Sequence, residues 1–507
     1  MTNNQSNKTV RIATNTVLLY IRMAVVMFVT LYISRIVLNV LGVEDYGIYN
    51  VVSGIVVLFS FLNTALTNAT QRYFSICIAN KNHDDLIKVF STSIFLHFLV
   101  IIFVLLLTET FGLWYIKEKL SLPDGKLALA VGTYHLAIIA TCINIIRVPF
   151  QAILISNEQM SVYAIITVLE TILKLFAVLL LPLLTGEKLL LYSFLNILVF
   201  LLIFLTFVVY TVLKYRLKIV LLSDVKLLKE FAIFSGWNML GGVADITYQQ
   251  GTNLILNHFG GVIVNAAVGI MNQVRTAVFS FVSNLQLAAN PQIIKSYSSD
   301  DFSYFYSLIS LISRLSYYLI LLFAIPLILN IEFILEVWLK IVPPYTPIFC
   351  KLILIYCLID SLSGPLWVAI QATGKMKTYQ LVISVCLISN LPISYFALRG
   401  GAPLPIVYII QIFLCCVAMN LRLIIAKKYV NLNLSSYFKE IVLKILIVTV
   451  LSSLVPIICS YIFEGFLKFI VTSIFNTLSL VVTAYYLGIT CDERNRVVSY
   501  IKNKIKI

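Results

Sequence analysis

Residues 188–216 read KLLLYSFLNILVFLLIFLTFVVYTVLKYR. Between Lys188 and Lys214 lie 25 residues without a charge, and a helix needs only about 20 apolar residues to cross a bilayer core of roughly 30 Å. Outward from this stretch the same pattern recurs along the chain, near 12–40, 47–79, 86–113, 126–150, 160–184, 230–257, 263–294, 304–329, 346–372, 377–398, 403–426, 440–463 and 467–489. Short polar breaks separate the runs. The sequence therefore predicts an all-α integral membrane protein with about fourteen transmembrane helices. The segment from Glu332 to Lys340 is a candidate interfacial helix.

Composition agrees. Of 507 residues, 60% are hydrophobic and 12% charged, about half the charged share of a soluble protein. The formal charge of +15 would indicate nucleic acid in a soluble chain, but here the basic residues sit mainly in alternate inter-helix breaks, so no nucleic-acid partner is expected. Lys8, Arg11, Lys81, Lys88, Lys214, Arg216, Lys218, Lys226, Lys229, Lys375, Lys377, Lys427, Lys428 and the tail's Arg494, Arg496, Lys502, Lys504 and Lys506 fall on one side, as do Arg422, Lys439 and Lys444. The opposite side receives Lys117, Lys119, Lys126, Lys188, Lys340, Lys351, Arg399 and Lys468. This asymmetry places both termini in the cytoplasm. The Lys117–Lys126 cluster fits poorly, with Glu118 and Asp124 as partial balance. Polar Met1 to Thr16 leads into an apolar stretch interrupted by Arg22 and Arg35, which reads as a retained first helix rather than a cleaved signal.

Nine cysteines are scattered through apolar stretches, and the only close pair, Cys415-Cys416, has neither disulfide-framework nor zinc-site spacing. No metal is expected. His97 and His135 have no evident ligand companions and read as structural. The outer loops are short, the longest running from about Ile331 to Tyr345, which leaves no room for an extracytoplasmic catalytic domain. No glycine-rich phosphate loop and no nucleophile–base pair stands out, so the expected class is not an enzyme.

An internal repeat is visible at an offset of 222 residues: Gly47, Ile48, Asn50, Val52, Phe59 and Asn68 align with Gly269, Ile270, Asn272, Val274, Phe281 and Asn290. Six helices separate the copies, so both have the same orientation, as in repeats related by an axis along the membrane normal. At 100° per residue the second helix gathers Asn50, Ser53, Phe61, Thr64, Asn68, Gln71 and Arg72 on one line, and the eighth gathers Asn265, Asn272, Arg275, Thr276, Phe279, Ser283, Gln286 and Asn290. The seventh adds Asn238, Gly241, Asp245, Gln249 and Thr252. Lipid cannot satisfy these side chains. They face either a hydrated cavity between two lobes or neighbouring helices through hydrogen bonds.

Charges inside helices carry more information, because each costs about 2.5–3.5 kcal/mol at the bilayer centre even on insertion scales. Arg22, Arg35, Arg72, Arg147, Lys174, Arg275 and Arg314 stand against Glu109, Glu170, Asp245 and Asp360. Glu170 and Lys174, four apart, read as a pair. Arg35, Arg72, Arg147 and Arg314 read as snorkelling near the interfaces. Arg22 and Arg275 are the cations best placed in a cavity, where a guanidinium fork suits a phosphorylated anion. Asp245 either pairs with Arg275 or titrates with a coupling ion.

A set of short motifs runs in order along the chain: Leu41-Gly42 with Asp45-Tyr46-Gly47, Gln71-Arg72, Asn272-Gln273-Val274-Arg275, Asn290-Pro291-Gln292 with Lys295-Ser296-Tyr297, Trp338-Leu339 before Pro343, Ser363-Gly364-Pro365 and Gln371-Ala372-Thr373-Gly374-Lys375. In these the chain resembles the Wzx-type lipid-linked oligosaccharide flippases, the polysaccharide transporter branch of the superfamily that also holds multidrug exporters and lipid II flippases; this resemblance carries the expectations that follow. It implies two six-helix lobes, 1–215 and 216–430, related by a pseudo-two-fold along the membrane normal, followed by two further helices and a basic tail over 431–507. It also implies a bacterial cytoplasmic (inner) membrane protein working by alternating access on polyprenyl-diphosphate-linked oligosaccharide, as for O-antigen or other lipopolysaccharide or capsule units. The diphosphate-receiving role falls on Arg275, with Arg22 and Arg72, and the stripe residues Asn50, Asn68, Asn272, Asn290 and Gln286 are the remaining cavity candidates. Membrane lipids, a polysaccharide polymerase and glycosyltransferases of the pathway are the implied partners. Coupling to a proton or sodium gradient is implied at the family level, with no other cofactor.

A multidrug exporter shares this architecture but would be expected to have a cavity richer in acids. A membrane polymerase or ligase would need outer surface that the short loops do not supply. A passive scaffold explains the hydrophobicity and not the matched stripes.

Overall fold

The computed structural model describes residues 2–58, 66, 67, 70, 71, 73, 74, 77, 78, 82–157, 159–220, 225–373, 375–490, 493 and 494. Among them there is helix and no strand. Among the described residues twelve apolar stretches are long enough to cross a membrane, and two of these, Arg22–Leu58 and Ile246–Gln286, each hold two helices. The breaks fall at Gly42 (φ 78°) and Gly261 (φ 68°), a backbone region that glycine enters without steric penalty. The helices are α1 (2–41), α2 (from 43), α3 (His83–Glu118), α4 (Leu127–Ser156), α5 (Met160–Leu183), α6 (Lys188–Tyr215), α7 (225–260), α8 (262–298), α9 (Phe302–Leu339), α10 (Thr346–Ala372), α11 (Met376–Arg399), α12 (Ile406–Val430), α13 (Leu434–Ile462) and α14 (Gly465–Gly488). Among the described residues each of the fourteen predicted helices is represented, the second continuously only as far as 58, with the Glu332–Lys340 segment continuing α9 beyond a non-helical Asn330 (φ −126°). Large apolar side chains such as Phe98, Leu202, Phe413 and Ile458 lie on outward faces, as suits a multi-pass membrane protein.

By internal packing the chain divides into one unit of Met1–Gly269 with Leu339–Pro343 and another of Ile270–Trp338 with Pro344–Ile507. In the first, Phe74, Phe90, Phe150 and Phe207 sit at the centre of an apolar core. In the second, Phe305, Leu366, Ala418 and Ile441 do.

Proline explains several polar residues in the second unit. A proline inside a helix leaves the carbonyl four residues earlier without its N–H partner. Pro365 leaves Ser361, whose carbonyl accepts Gln286 Nε2 at 2.9 Å. Pro326 leaves Leu322, whose carbonyl accepts Asn476 Nδ2 at 2.9 Å. Pro456 leaves Ser452, whose carbonyl accepts Ser479 Oγ at 2.8 Å. Each orphaned acceptor is met by a side chain from another helix, Gln286 of α8 in the first case and Asn476 and Ser479 of α14 in the other two, because hydrocarbon offers no donor.

Three lysines read as outer-side find local partners. Lys126 lies 2.9 Å from Asp45, and this hydrogen bond raises its ammonium above the usual lysine range. Lys351 lies 2.7 Å from Glu332. Lys188 donates to the carbonyls of Leu181, Pro182 and Leu184 at the end of α5, where a cation is favoured. The poor fit of the Lys117–Lys126 cluster is thereby eased at Lys126.

Candidate functional site

The first unit gathers cations around α5. Arg22 of α1 is half-buried, with its guanidinium carbon 5.3 Å from the centre of the Tyr163 ring, within cation–π range. Among the described residues its Nε is buried without a hydrogen-bond partner. Tyr163 packs on Phe207, centroids 6.5 Å apart, and Arg147 of α4 lies 6.0 Å over that same Phe207 ring. Arg147 Nη1 donates to Glu170 Oε2 at 2.9 Å, and Lys174 Nζ donates to Glu170 Oε1 at 2.7 Å. Tyr163 and Glu170 are seven residues apart, two helical turns on one face of α5. Among the described residues one wall therefore carries Arg22, Arg147 and Lys174 against the single carboxylate of Glu170, with the Arg147 Nε also buried and unpartnered.

The Glu170–Lys174 pair follows the sequence expectation. Arg147 does not: it is bound across helices by Glu170 rather than snorkelling. Its partner is 23 residues away on the next helix, and helical spacing within one element does not reveal such a pairing.

In the second unit Arg275 of α8 lies 5.4 Å over the Tyr356 ring of α10, and Asp360 is one turn further along α10. At the break between Asp360 and Ser363, Arg422 of α12 is buried, its Nε donating to Tyr379 Oη at 3.0 Å and its Nη1 to Ser363 Oγ at 2.7 Å. The sequence assigned Arg422 to the cytoplasmic basic group; the structure instead makes it an internal brace. Arg314 is a second correction. It is 1% exposed, donates 2.5 Å to Glu493 Oε1 and 3.2 Å to the Gly488 carbonyl, and so binds the chain beyond α14 rather than reaching an interface.

The stripe residues divide. Asn50 donates to the Tyr46 carbonyl at 3.0 Å and packs against Gly269. Gln286 donates to Ser361 O and to Ser316 Oγ, and its amide lies where a side chain on Gly364 would stand, which gives the Ser363-Gly364-Pro365 motif a structural reason. Asn265, with Asn253 and Asn257, forms a buried amide cluster: Asn257 Nδ2 donates to Asn265 Oδ1 at 2.7 Å, Asn265 Nδ2 to Asn253 Oδ1 at 2.6 Å, and Asn257 Oδ1 accepts Ser121 N at 2.9 Å. Asn272 is exposed. Asn290 is half-buried, its Oδ1 buried without a partner. Asn68 and Arg72 lie outside the described residues, as does the side chain of Asp245, although its backbone is helical.

His97 is structural as expected: it is fully buried and its Nδ1 meets the Ser93 carbonyl at 2.7 Å. His135 does have a companion, Glu109, at 3.2 Å.

No family model and no curated protein matches the sequence. Solved structures do. The lipid II flippase MurJ in an inward closed conformation superposes with a TM-score of 0.67 at 11% identity, covering 93% of this chain and 98% of that one. An inward-facing multidrug resistance MATE family transporter of the MOP superfamily gives 0.64 at 14% identity, covering 83% and 99%. A MOP superfamily transporter from Pyrococcus furiosus, described as having a binding pocket of reverse polarity, gives 0.63 at 14%, covering 83% and 96%. The fold is that of these MOP superfamily transporters.

Proposed function

We propose that the chain moves a polyprenyl-diphosphate-linked oligosaccharide from the cytoplasmic to the outer leaflet of a bacterial inner membrane by alternating access. The observation that carries this reading is the cation excess on the α5 wall, where Arg22, Arg147 and Lys174 share one carboxylate. A guanidinium keeps its charge throughout and offers a fork matched to phosphate oxygens. A phosphorylated headgroup supplies the acceptors that the unpartnered Nε atoms of Arg22 and Arg147 need. Arg275 over Tyr356 is the corresponding cation of the second unit. The prenyl tail stays in lipid while the head and glycan cross.

The likeness to the lipid II flippase spans 93% of the chain, against 83% for the MATE transporter, which favours a lipid-linked cargo over a drug. Coupling to a proton or sodium gradient, with Asp245 as a candidate, belongs to the same reading, as do a polymerase and glycosyltransferases as pathway partners. The test is complementation of a strain deleted for the chain. Arg22→Ala and Arg275→Ala should each abolish surface glycan at normal protein level. Unchanged glycan in either variant removes that residue, and drug efflux by the wild type without glycan transfer makes the chain a multidrug exporter instead.

A further inference from the structure

Lys375 and Lys377 flank the start of α11, and Lys427 and Lys428 stand in the last turn of α12; all four are exposed. Lysines in a last helical turn commonly answer its carbonyls, and at a membrane edge they commonly snorkel. Here two of them also converge on one ring. The Tyr429 hydroxyl donates to Thr378 Oγ1 at 3.0 Å, joining the two helix ends, and the ammonium groups of Lys375 and Lys428 lie 5.9 and 5.7 Å from the centre of the Tyr429 ring. No Asp or Glu occurs between Asp360 and Glu440. Among the described residues none of the four lysines has a carboxylate at ion-pair distance.

These cations stand at the end of an apolar groove. Past Thr378 the same face of α11 carries Val382, Val385 and Ser389, and past Lys428 the same face of α12 carries Leu421, Val417 and Leu414. Between them lies a groove of about 540 Å³, within the roughly 300–1,000 Å³ of sites that hold a small molecule. Cys386 closes its floor, the Sγ donating to the Leu414 carbonyl at 3.7 Å. Both floor residues are buried, whereas Leu381 and Val385 on the rim are 49% and 68% exposed. At the far end Ser389 Oγ donates to the Cys386 carbonyl, so its proton is used within its own helix. From Leu381 to Ser389 the groove runs roughly 12 Å along α11, close to the roughly 15 Å of hydrocarbon in one leaflet.

We propose that the groove between α11 and α12 binds one anionic phospholipid of the adjoining leaflet, its phosphate between Lys375 and Lys428 and an acyl chain along Leu381, Val385 and Leu421. An apolar groove alone accepts any lipid. The cations at its end make the choice, because lysines beside a membrane span draw net negative headgroups and basic pockets between such helices hold them. A zwitterionic headgroup would bring its own cation to the same place. The length of the groove suits a chain confined to one leaflet, and a prenyl chain long enough to cross the bilayer would overrun it. This reading does not depend on what the chain transports.

The test uses the full chain carrying Val385→Trp at the rim, in phosphatidylcholine vesicles doped with a few per cent of brominated lipid, which quenches tryptophan on contact. The signal is the difference from the chain without the added tryptophan. Brominated phosphatidylglycerol should quench about tenfold more effectively than brominated phosphatidylcholine at the same fraction, and added salt should shrink that preference. Lys375→Gln with Lys428→Gln should remove most of it, and Lys375→Arg with Lys428→Arg should keep it. Equal quenching by the two lipids, or a preference that ignores salt or survives intact in the glutamine pair, overturns the proposal. So does relief of the phosphatidylglycerol quenching by an equal amount of long-chain polyprenyl phosphate, which assigns the groove to that lipid instead.

Discussion

Asn50 occupies the space that a side chain on Gly269 would need: a methyl placed there would lie 2.6 Å from Asn50 Cγ. Gly47, aligned with Gly269 in the internal repeat, is closed off in the same way by the backbone of Val262, whose carbonyl carbon would lie 2.7 Å away. The two aligned glycines of the repeat thus mark two close helix approaches. A side chain can give way and a backbone cannot. Gly47→Ala should therefore lower stability by about 1–3 kcal/mol, Gly269→Ala by less. Asn50→Ala should rescue Gly269→Ala and leave Gly47→Ala unrescued, read by thermal melting of the double variants.

Pro365 and Gln286 should behave as a pair. Gln286→Leu orphans the Ser361 carbonyl, at a cost of about 1–3 kcal/mol. Pro365→Ala restores a backbone N–H four residues on, so the double variant should recover much of that loss. If Gln286 served cargo alone, Pro365→Ala would change nothing in a Gln286→Leu background. Thermal melting and surface glycan, measured together, separate the two roles.

Glu170 holds two cations, so its loss should exceed that of either. Breaking a buried pair by removing one partner costs roughly 3–5 kcal/mol, and Glu170→Gln leaves both Arg147 and Lys174 uncompensated. Lys174→Met, which leaves the Arg147–Glu170 contact in place, should be the milder change. Equal melting temperatures for the two variants would mean that Arg147 gains nothing from Glu170.

Arg314 and Glu493 are 179 residues apart in sequence, yet Arg314 is buried. Glu493→Ala should destabilise the fold by roughly 3 kcal/mol, whereas Arg314→Met combined with Glu493→Ala should restore part of it by removing the stranded charge. Detergent-solubilised yield and melting temperature report both effects.

What was legible in the sequence was the solvent. Charge-free runs such as 189–213 fix helices because lipid admits no unsatisfied backbone, and Gly42 and Gly261 mark turns too tight to show as polar loops. The site was legible only in kind. Periodicity gathers Asn265, Gln286 and Asn290 on one face of α8, but a polar face is equally content against water or against another helix's amide. Asn265 and Gln286 found amides and carbonyls; Asn290 Oδ1 did not. Arg147, Arg314 and Arg422 defeated the snorkelling and loop readings for one reason: their partners come from other helices, and spacing along one helix says nothing of them. The proline-minus-four carbonyls were available from sequence alone, since each of Ser361, Leu322 and Ser452 announces the need for a donor from elsewhere.

Asn476 and Ser479 of α14 serve prolines of two different helices, Pro326 in α9 and Pro456 in α13. α14 therefore completes the backbone hydrogen bonding of two helices that precede it. In homologues whose chains stop short of it, position 326 should no longer hold proline, and the loss of one should track the loss of the other across a phylogeny.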